Sequence, residues 1–153
     1  MRYLVLSDTH GRINKAIETI ETQKCDYCIH LGDMVQDCED LQSIFPKQKF
    51  IFVKGNNDFW THSPDFPDLR VFTLENKRFF VCHGHKFHVK QDLYGLIGAA
   101  KKENADIVLF GHTHRQLYEE HGEMKIINPG AYDGYAIITI DGENIACEVC
   151  RND

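Results

Sequence analysis

The sequence predicts an α/β protein built from two packed sheets flanked by helices. Three observations carry that expectation. Strand-like apolar runs alternate with amphipathic helical segments early in the chain, short strands crowd its end, and five apolar runs each stop at a cluster of Asp, His or Asn. Alternation of the first kind builds sheet layers covered by helices, and closely spaced strands at the end complete them.

Residues 1–6 read as a buried strand, because a nearly unbroken apolar run is what a strand covered on both faces shows. Residues 13–23 read as a helix, with Ile13, Ala16, Ile17 and Ile20 on one face and Lys15, Glu18, Thr19 and Thr22 on the other. A second strand covers 25–31, and a short helix at 38–45 is ended by Pro46, which cannot continue it. The third strand covers 49–53. Residues 56–68, with Trp60, His62, Pro64 and Pro67, read as a long loop, and such loops in compact domains are often functional.

Strands at 69–74 and 78–82 flank the polar turn Glu75-Asn76-Lys77 as a hairpin. A helix over 89–104 places Leu93, Leu96, Ile97 and Ala100 on one side, and 106–110 is another buried strand. Four short strands follow, at 116–120, 125–128, 135–140 and 145–149, separated by His121-Gly122, Pro129-Gly130 and Asp141-Gly142. No repeat, low-complexity stretch or linker interrupts the 153 residues, so one domain is expected.

Composition narrows the function. With 42% apolar and 26% charged residues the chain reads as an ordinary soluble globular protein. A net charge of −6 argues against holding duplex nucleic acid through many phosphates. A small anionic substrate stays compatible, since bound cations would set the local charge of a metal site. Asp8 interrupts the first apolar run, no run has membrane length, and six cysteines occur without a secretory signal, so a cytoplasmic protein with reduced thiols is expected, with no membrane partner. Self-association is left open.

The five clusters are of metal-ligand type. Ser7-Asp8-Thr9-His10-Gly11 follows Tyr3-Leu4-Val5-Leu6, and in extended backbone residues i and i+2 point the same way about 7 Å apart, so Asp8 and His10 converge. Gly32-Asp33, Gly55-Asn56-Asn57-Asp58, His83-Gly84-His85 and Gly111-His112-Thr113-His114 follow later runs. Open α/β sheets place ligands outside the carboxyl ends of their strands. Hydrolysing a phosphate ester needs a nucleophile at neutral pH and neutralised phosphoryl charge, which two divalent cations supply through roughly four ligands each. Asp8, His10, Asp33, Asn56, His83, His112 and His114 are the right number and mixture.

In their order, these five blocks resemble the signatures of the calcineurin-like metallophosphoesterases. Length and spacing are most similar to the small bacterial and archaeal phosphodiesterase subgroup, to which the eukaryotic retromer scaffold subunit is related. The resemblance implies a four-layer α/β/β/α sandwich of two mixed sheets. It implies that Asp8, His10 and His114 hold one metal, that Asn56, His83 and His112 hold the other, and that Asp33 bridges them. Manganese is the first choice, with nickel, zinc or iron also suited to imidazole and carboxylate ligands. The implied activity is hydrolysis of a small phosphodiester by a hydroxide bridging the two metals, with Asp33, Asn57, His83 and His112 taking part. Alternatives are a phosphomonoesterase, or a weakly active protein-binding scaffold, for which Phe59, Trp60 and Phe66 are candidate exposed aromatics.

One position departs from the family pattern. Asn57 stands where the family usually has a histidine that contacts the phosphate and protonates the leaving group, and an amide cannot act as a general acid. His85 and His62 are the candidate substitutes. His30 reads as a partly buried, hydrogen-bonded histidine rather than a ligand, and His88 and His121 read as surface residues. Arg12 is a candidate phosphate contact, and the run from Lys86 to Lys90 a modest basic patch beside His83. Cys25-x-x-Cys28 and Cys147-x-x-Cys150 have the composition of a zinc site, but residues i and i+3 of a strand face opposite ways, so packing cysteines are expected.

Overall fold

The computed structural model describes residues 1–152. Two five-stranded sheets form its centre. The first sheet contains β1 (Arg2–Leu6), β2 (Tyr27–His30), β3 (Lys49–Phe52), β9 (Gly134–Asp141) and β10 (Asn144–Arg151), in the order β10-β9-β1-β2-β3. The second contains β4 (Leu69–Leu74), β5 (Lys77–Cys82), β6 (Ile107–Leu109), β7 (Leu117–His121) and β8 (Met124–Asn128), in the order β4-β5-β6-β8-β7. Both are mixed. β1, β2 and β3 run parallel, as do β5, β6 and β8; β9, β4 and β7 pair antiparallel to β1, β5 and β8, and β10 pairs antiparallel to β9.

Side-chain alternation builds the layers. Tyr3 and Val5 of β1 and Phe79 and Val81 of β5 point between the sheets, where they pack with Ile29, Ile107, Leu109, Ile127 and Ile138. Leu4 and Leu6 face outward onto Ala16 and Ile20 of α1 (Asn14–Gln23) and Leu41 of α2 (Val35–Ile44). Phe80 and Cys82 face outward onto Leu96 and Ala100 of α3 (Tyr94–Lys102). Every strand in the middle of the stack is therefore buried on both faces, which is why β1 reads as a continuous apolar run. The order helix, sheet, sheet, helix is the expected one. Among the described residues, no helix is long and apolar enough to cross a membrane.

Two helix starts differ from expectation for reasons of capping. α2 begins at Val35 rather than Cys38, because Asp58 Oδ1, from a distant turn, accepts the Val35 N–H at 2.9 Å. α3 begins at Tyr94 rather than at residue 89. His88 takes a left-handed φ of 55°, and Asp92 Oδ1 accepts the Tyr94 N–H at 3.0 Å, so Val89 and Leu93 reach the apolar layer from turns. The loop after β3 opens with a 3₁₀ turn, Asn56–Asp58, and doubles back far enough to bury Phe66 against Phe52 at a ring distance of 5.4 Å. Phe66 is thus not an exposed aromatic, whereas Phe59 (78% exposed) and Trp60 (56%) are.

Candidate metal centre

All the candidate residues stand just past the carboxyl ends of the parallel strands. β1 leads to Asp8 and His10, β2 to Asp33, β3 to Asn56 and Asn57, β5 to His83, and β6 to His112 and His114. Three of these ends belong to one sheet and two to the other, so the cluster lies across the seam between the sheets. The loop after β1 rides on the loop after β2 through Asp8 N–H to Gly32 O (2.9 Å) and His10 N–H to Asp33 O (3.3 Å).

Asp8 and His10 converge, but not through extended backbone. Asp8 (φ 54°), His10 (47°), Asp33 (49°), His112 (70°) and His114 (62°) all adopt the left-handed conformation. Such torsions cost non-glycine residues of order 1–3 kcal/mol each and concentrate at functional sites. Asp, Asn and His tolerate them better than other side chains.

Hydrogen bonding leaves a specific set of atoms free. Asp8 Oδ2 accepts the Ser7 hydroxyl (2.5 Å) and the His112 N–H (3.0 Å), while Oδ1 is buried and unpartnered. Around Oδ1 lie His114 Nε2 at 3.2 Å, His10 Nε2 at 3.6 Å and His83 Nε2 at 3.6 Å. His83 Nε2 is also 3.5 Å from Asp33 Oδ2. Leu31 O lies 2.7 Å from His83 Nδ1, so Nδ1–H donates to it and the Nε2 lone pair faces the cluster. The Nε2 atoms of His10 and His83 are likewise without partners. Asp8 and Asp33 are buried with only histidines at ion-pair distance among the described residues, a costly state for carboxylates unless a cation joins them.

Two triads emerge, Asp8-His10-His114 and Asp8-Asp33-His83, each with ligand atoms within 4.8 Å of one another. The donor set therefore fits divalent cations. Asp8 is the residue common to both. Close packing around these oxygens explains two motif glycines, since a Cβ on Gly111 would meet Ser7 Oγ and one on Gly55 would meet Asp33 Oδ1.

Asn57, His112 and His85 border the same cluster, whereas among the described residues no contact ties the Asn56 or His62 side chain to it. Asn57 spans Asp33, its backbone N–H reaching Oδ1 at 3.1 Å and its side-chain amide Oδ2 at 2.8 Å. Asn56 opens that turn and is exposed. His112 stands edge-on to His83 with ring centroids 5.1 Å apart. Burial, then the neighbouring His83, pushes the His112 pKa down to about 4, which keeps its ring neutral and its lone pair available. His85 lies beside both rings, at 5.5 and 6.1 Å, and burial followed by His83 lowers its pKa. His62 is exposed on the long loop.

Supporting contacts come from His30, hydrogen-bonded as its sequence reading expects, and from residues that the sequence pattern did not single out. Fully buried His30 accepts the Gly32 N–H on Nδ1 (3.1 Å), so Nε2–H donates to Thr9 Oγ1 at 3.0 Å. Thr9 donates onward to Asp37 Oδ2 at 2.5 Å, and Gly11 N–H joins the same oxygen at 2.7 Å. Buried Asn128, at the end of β8, donates to Gly111 O (3.1 Å) and Thr113 Oγ1 (3.0 Å), which braces the turn between His112 and His114. A sixth parallel end thus contributes. Its loop also sets Tyr132 6.0 Å from the rings of both His10 and His114, and the Arg12 guanidinium lies 5.0 Å above the Tyr132 ring. The apolar run ahead of Asn128-Pro129-Gly130 was the available signal.

The remaining features are structural. Lys86 pairs with Asp68 at 2.6 Å, and His88 and His121 are exposed. Cys25 and Cys28 both pack beneath α1, because Cys25 precedes β2 rather than lying within it, and no cysteine joins either triad.

Comparison with known proteins agrees with this geometry. The calcineurin-like phosphoesterase superfamily domain matches residues 1–142. The chain is 31% identical to "Probable metallophosphoesterase YsnB" of Bacillus subtilis, over 94% of this chain and 86% of that protein. It is 30% identical to a phosphodiesterase of Methanocaldococcus jannaschii, over 88% and 86% of the two chains. A Streptococcus pneumoniae TIGR4 structure, of a conserved protein titled a "predicted phosphoesterase", superposes with a TM-score of 0.80 at 25% identity, covering 98% of this chain and 88% of that one. Vps29 of Entamoeba histolytica complexed with Zn²⁺ shares the fold alone, with a TM-score of 0.77 at 18% identity over 99% of both chains. The chain belongs to the calcineurin-like phosphoesterase superfamily, a family of metal-dependent hydrolases.

Proposed function

We propose that this protein is a phosphodiesterase that uses two divalent cations, held by Asp8, His10 and His114 on one side and Asn56, His83 and His112 on the other, with Asp33 between them. The observation that supports it best is the pair of overlapping triads, Asp8-His10-His114 and Asp8-Asp33-His83, in which Asp8 Oδ1, His10 Nε2 and His83 Nε2 are buried without partners. When bound, such cations lower the pKa of water to make a nucleophile and neutralise phosphoryl charge. Manganese is the first choice and the cytoplasm the expected compartment.

The chain's own residues do the rest. Leu31 O fixes the His83 tautomer, so its Nε2 stays a ligand without a proton to lose. Asn57 already presents an amide N–H₂ at Asp33 Oδ2, and from there it donates to a phosphoryl oxygen but transfers no proton. A leaving group therefore departs with help only from solvent or from His85, whose lowered pKa makes its imidazolium scarce at neutral pH. Substrates with acidic leaving alcohols are favoured. Diesters rank above monoesters because the extra negative charge of a monoester asks for more cationic contacts than Arg12 and its neighbours provide.

The test is hydrolysis of bis(p-nitrophenyl) phosphate and of p-nitrophenyl phosphate by metal-stripped protein titrated with manganese, nickel, zinc and magnesium. Diester turnover that appears only with added metal is expected. Absence of turnover with two equivalents bound would favour the scaffold reading, for which exposed Phe59 and Trp60 are the supporting observation.

A further inference from the structure

Two clefts of about 600 Å³ open among the described residues, with smaller ones of about 380 and 370 Å³ elsewhere. One, of about 610 Å³, lies among Met1, Ile20, Lys24 and Pro46, with Met1 just ahead of β1 and away from the metal centre. The other, of about 600 Å³, adjoins the centre, because its wall includes Thr113, the residue between His112 and His114. Small-molecule sites occupy about 300–1,000 Å³.

The second cleft has a mixed lining. Val89, Leu93, Phe110 and Leu117 form an apolar floor. Lys90 and Arg115 stand exposed on its walls, and among the described residues neither has a carboxylate within ion-pair distance, unlike Lys86. Glu119, at the same cleft, is engaged with His121 at 2.9 Å. Arg115 is tied to the metal-site turn by its backbone N–H, which donates to Thr113 Oγ1 at 3.1 Å. Asn128 holds the same hydroxyl from the other side at 3.0 Å, so the wall is braced against the centre.

An apolar floor between two unspent cations suits a ligand with an apolar body and an anionic group. We propose that this cleft receives the part of the substrate beyond the scissile phosphate, and that it selects a nucleoside-like group carrying a second phosphate. The proposal rests on the phosphodiesterase reading. It places the scissile group at the metal centre, the organic body over Leu93 and Leu117, and the second phosphate between Lys90 and Arg115.

The experiment measures inhibition of bis(p-nitrophenyl) phosphate hydrolysis by adenosine 3′,5′-bisphosphate, adenosine 5′-monophosphate and inorganic phosphate. Wild type is compared with a Lys90→Gln/Arg115→Gln double variant. The bisphosphate is expected to inhibit wild type roughly tenfold more tightly than either monophosphate, as one charged hydrogen-bonding contact supplies. The variant loses that advantage, each inhibition constant being taken against the variant's own diester turnover. Equal inhibition by all three compounds in wild type, or an equal loss for all three in the variant, overturns the proposal. Failure of the phosphodiesterase reading shows separately, as no diester turnover by wild type, and calorimetry of the bisphosphate with metal-loaded wild type and variant then tests the cleft by itself.

Discussion

Thr9 donates to Asp37 Oδ2 at 2.5 Å, so helix α2 grips the single residue that separates Asp8 from His10. Two left-handed residues flank Thr9, and its side chain points away from theirs into a buried relay with His30. Replacing Thr9 by Val keeps the shape and removes the donor. The expected outcome is a loss of about 1–3 kcal/mol in stability, because Asp37 keeps a buried charge with one fewer donor, and manganese binding weakened roughly tenfold. Thr9→Ser retains both. Calorimetric metal titration alongside thermal unfolding separates the two effects.

Asn57 reaches Asp33 with its side-chain amide, the place from which a histidine would both contact substrate and deliver a proton. Asn57→His is expected to raise turnover of diesters with poor leaving groups, such as alkyl alcohols, by roughly tenfold to a hundredfold, the usual scale of general acid catalysis. Turnover of bis(p-nitrophenyl) phosphate, whose leaving group needs no proton, changes little. A slope of rate against leaving-group pKa that is unaltered by the substitution would show that protonation comes from elsewhere.

Burial pushes the His30 pKa down to about 4 from its ordinary 6.5. The unfolded chain therefore binds a proton between those values that the folded chain refuses, and stability rises with pH through that window. Metal-stripped protein is expected to be stable above pH 6.5 and to lose about 3 kcal/mol as the pH falls to 4. His112 contributes in the same direction. Urea unfolding at half-unit pH steps measures the slope, and His30→Gln should remove the His30 share of it while leaving that of His112 and His85.

The six cysteines should behave as packing residues. Burial raises all of them, with Cys82 pushed up to about 12 and Cys147 to about 11. A thiol reagent at pH 8 is expected to label the native protein slowly, at half-buried Cys147 and Cys150 first, and to reach all six only on unfolding. Rapid labelling of Cys28 or Cys38 in folded protein would contradict this.

The metal-type clusters could be read from the sequence because each is short and follows its own buried strand, so a local pattern marks a local place. What the chain does between strands was less legible. Convergence of Asp8 and His10 was anticipated from extended geometry, yet the structure achieves it with left-handed torsions that no residue pattern announces. α2 starts early because its cap, Asp58, lies 23 residues away from Val35. Asn128 and Tyr132 were missed because Asn128-Pro129-Gly130 reads as a turn, and only the pairing of β8 beside β6 reveals that it ends at the same edge. Phe66 looked exposed for a similar reason, since a loop that folds back onto β3 has no periodicity to betray it.

The left-handed torsions of the five candidate ligands have an evolutionary consequence. Glycine suits those torsions best and carries nothing with which to bind an ion. A lineage selected only for thermal persistence would drift towards glycine at His10, His112 and His114, whose side chains brace no loop among the described residues, relieving the torsions as it shed its chemistry. Within a collection of chains sharing this architecture, glycine at these places would mark the members that have retired from catalysis, while histidine there would mark those still at work.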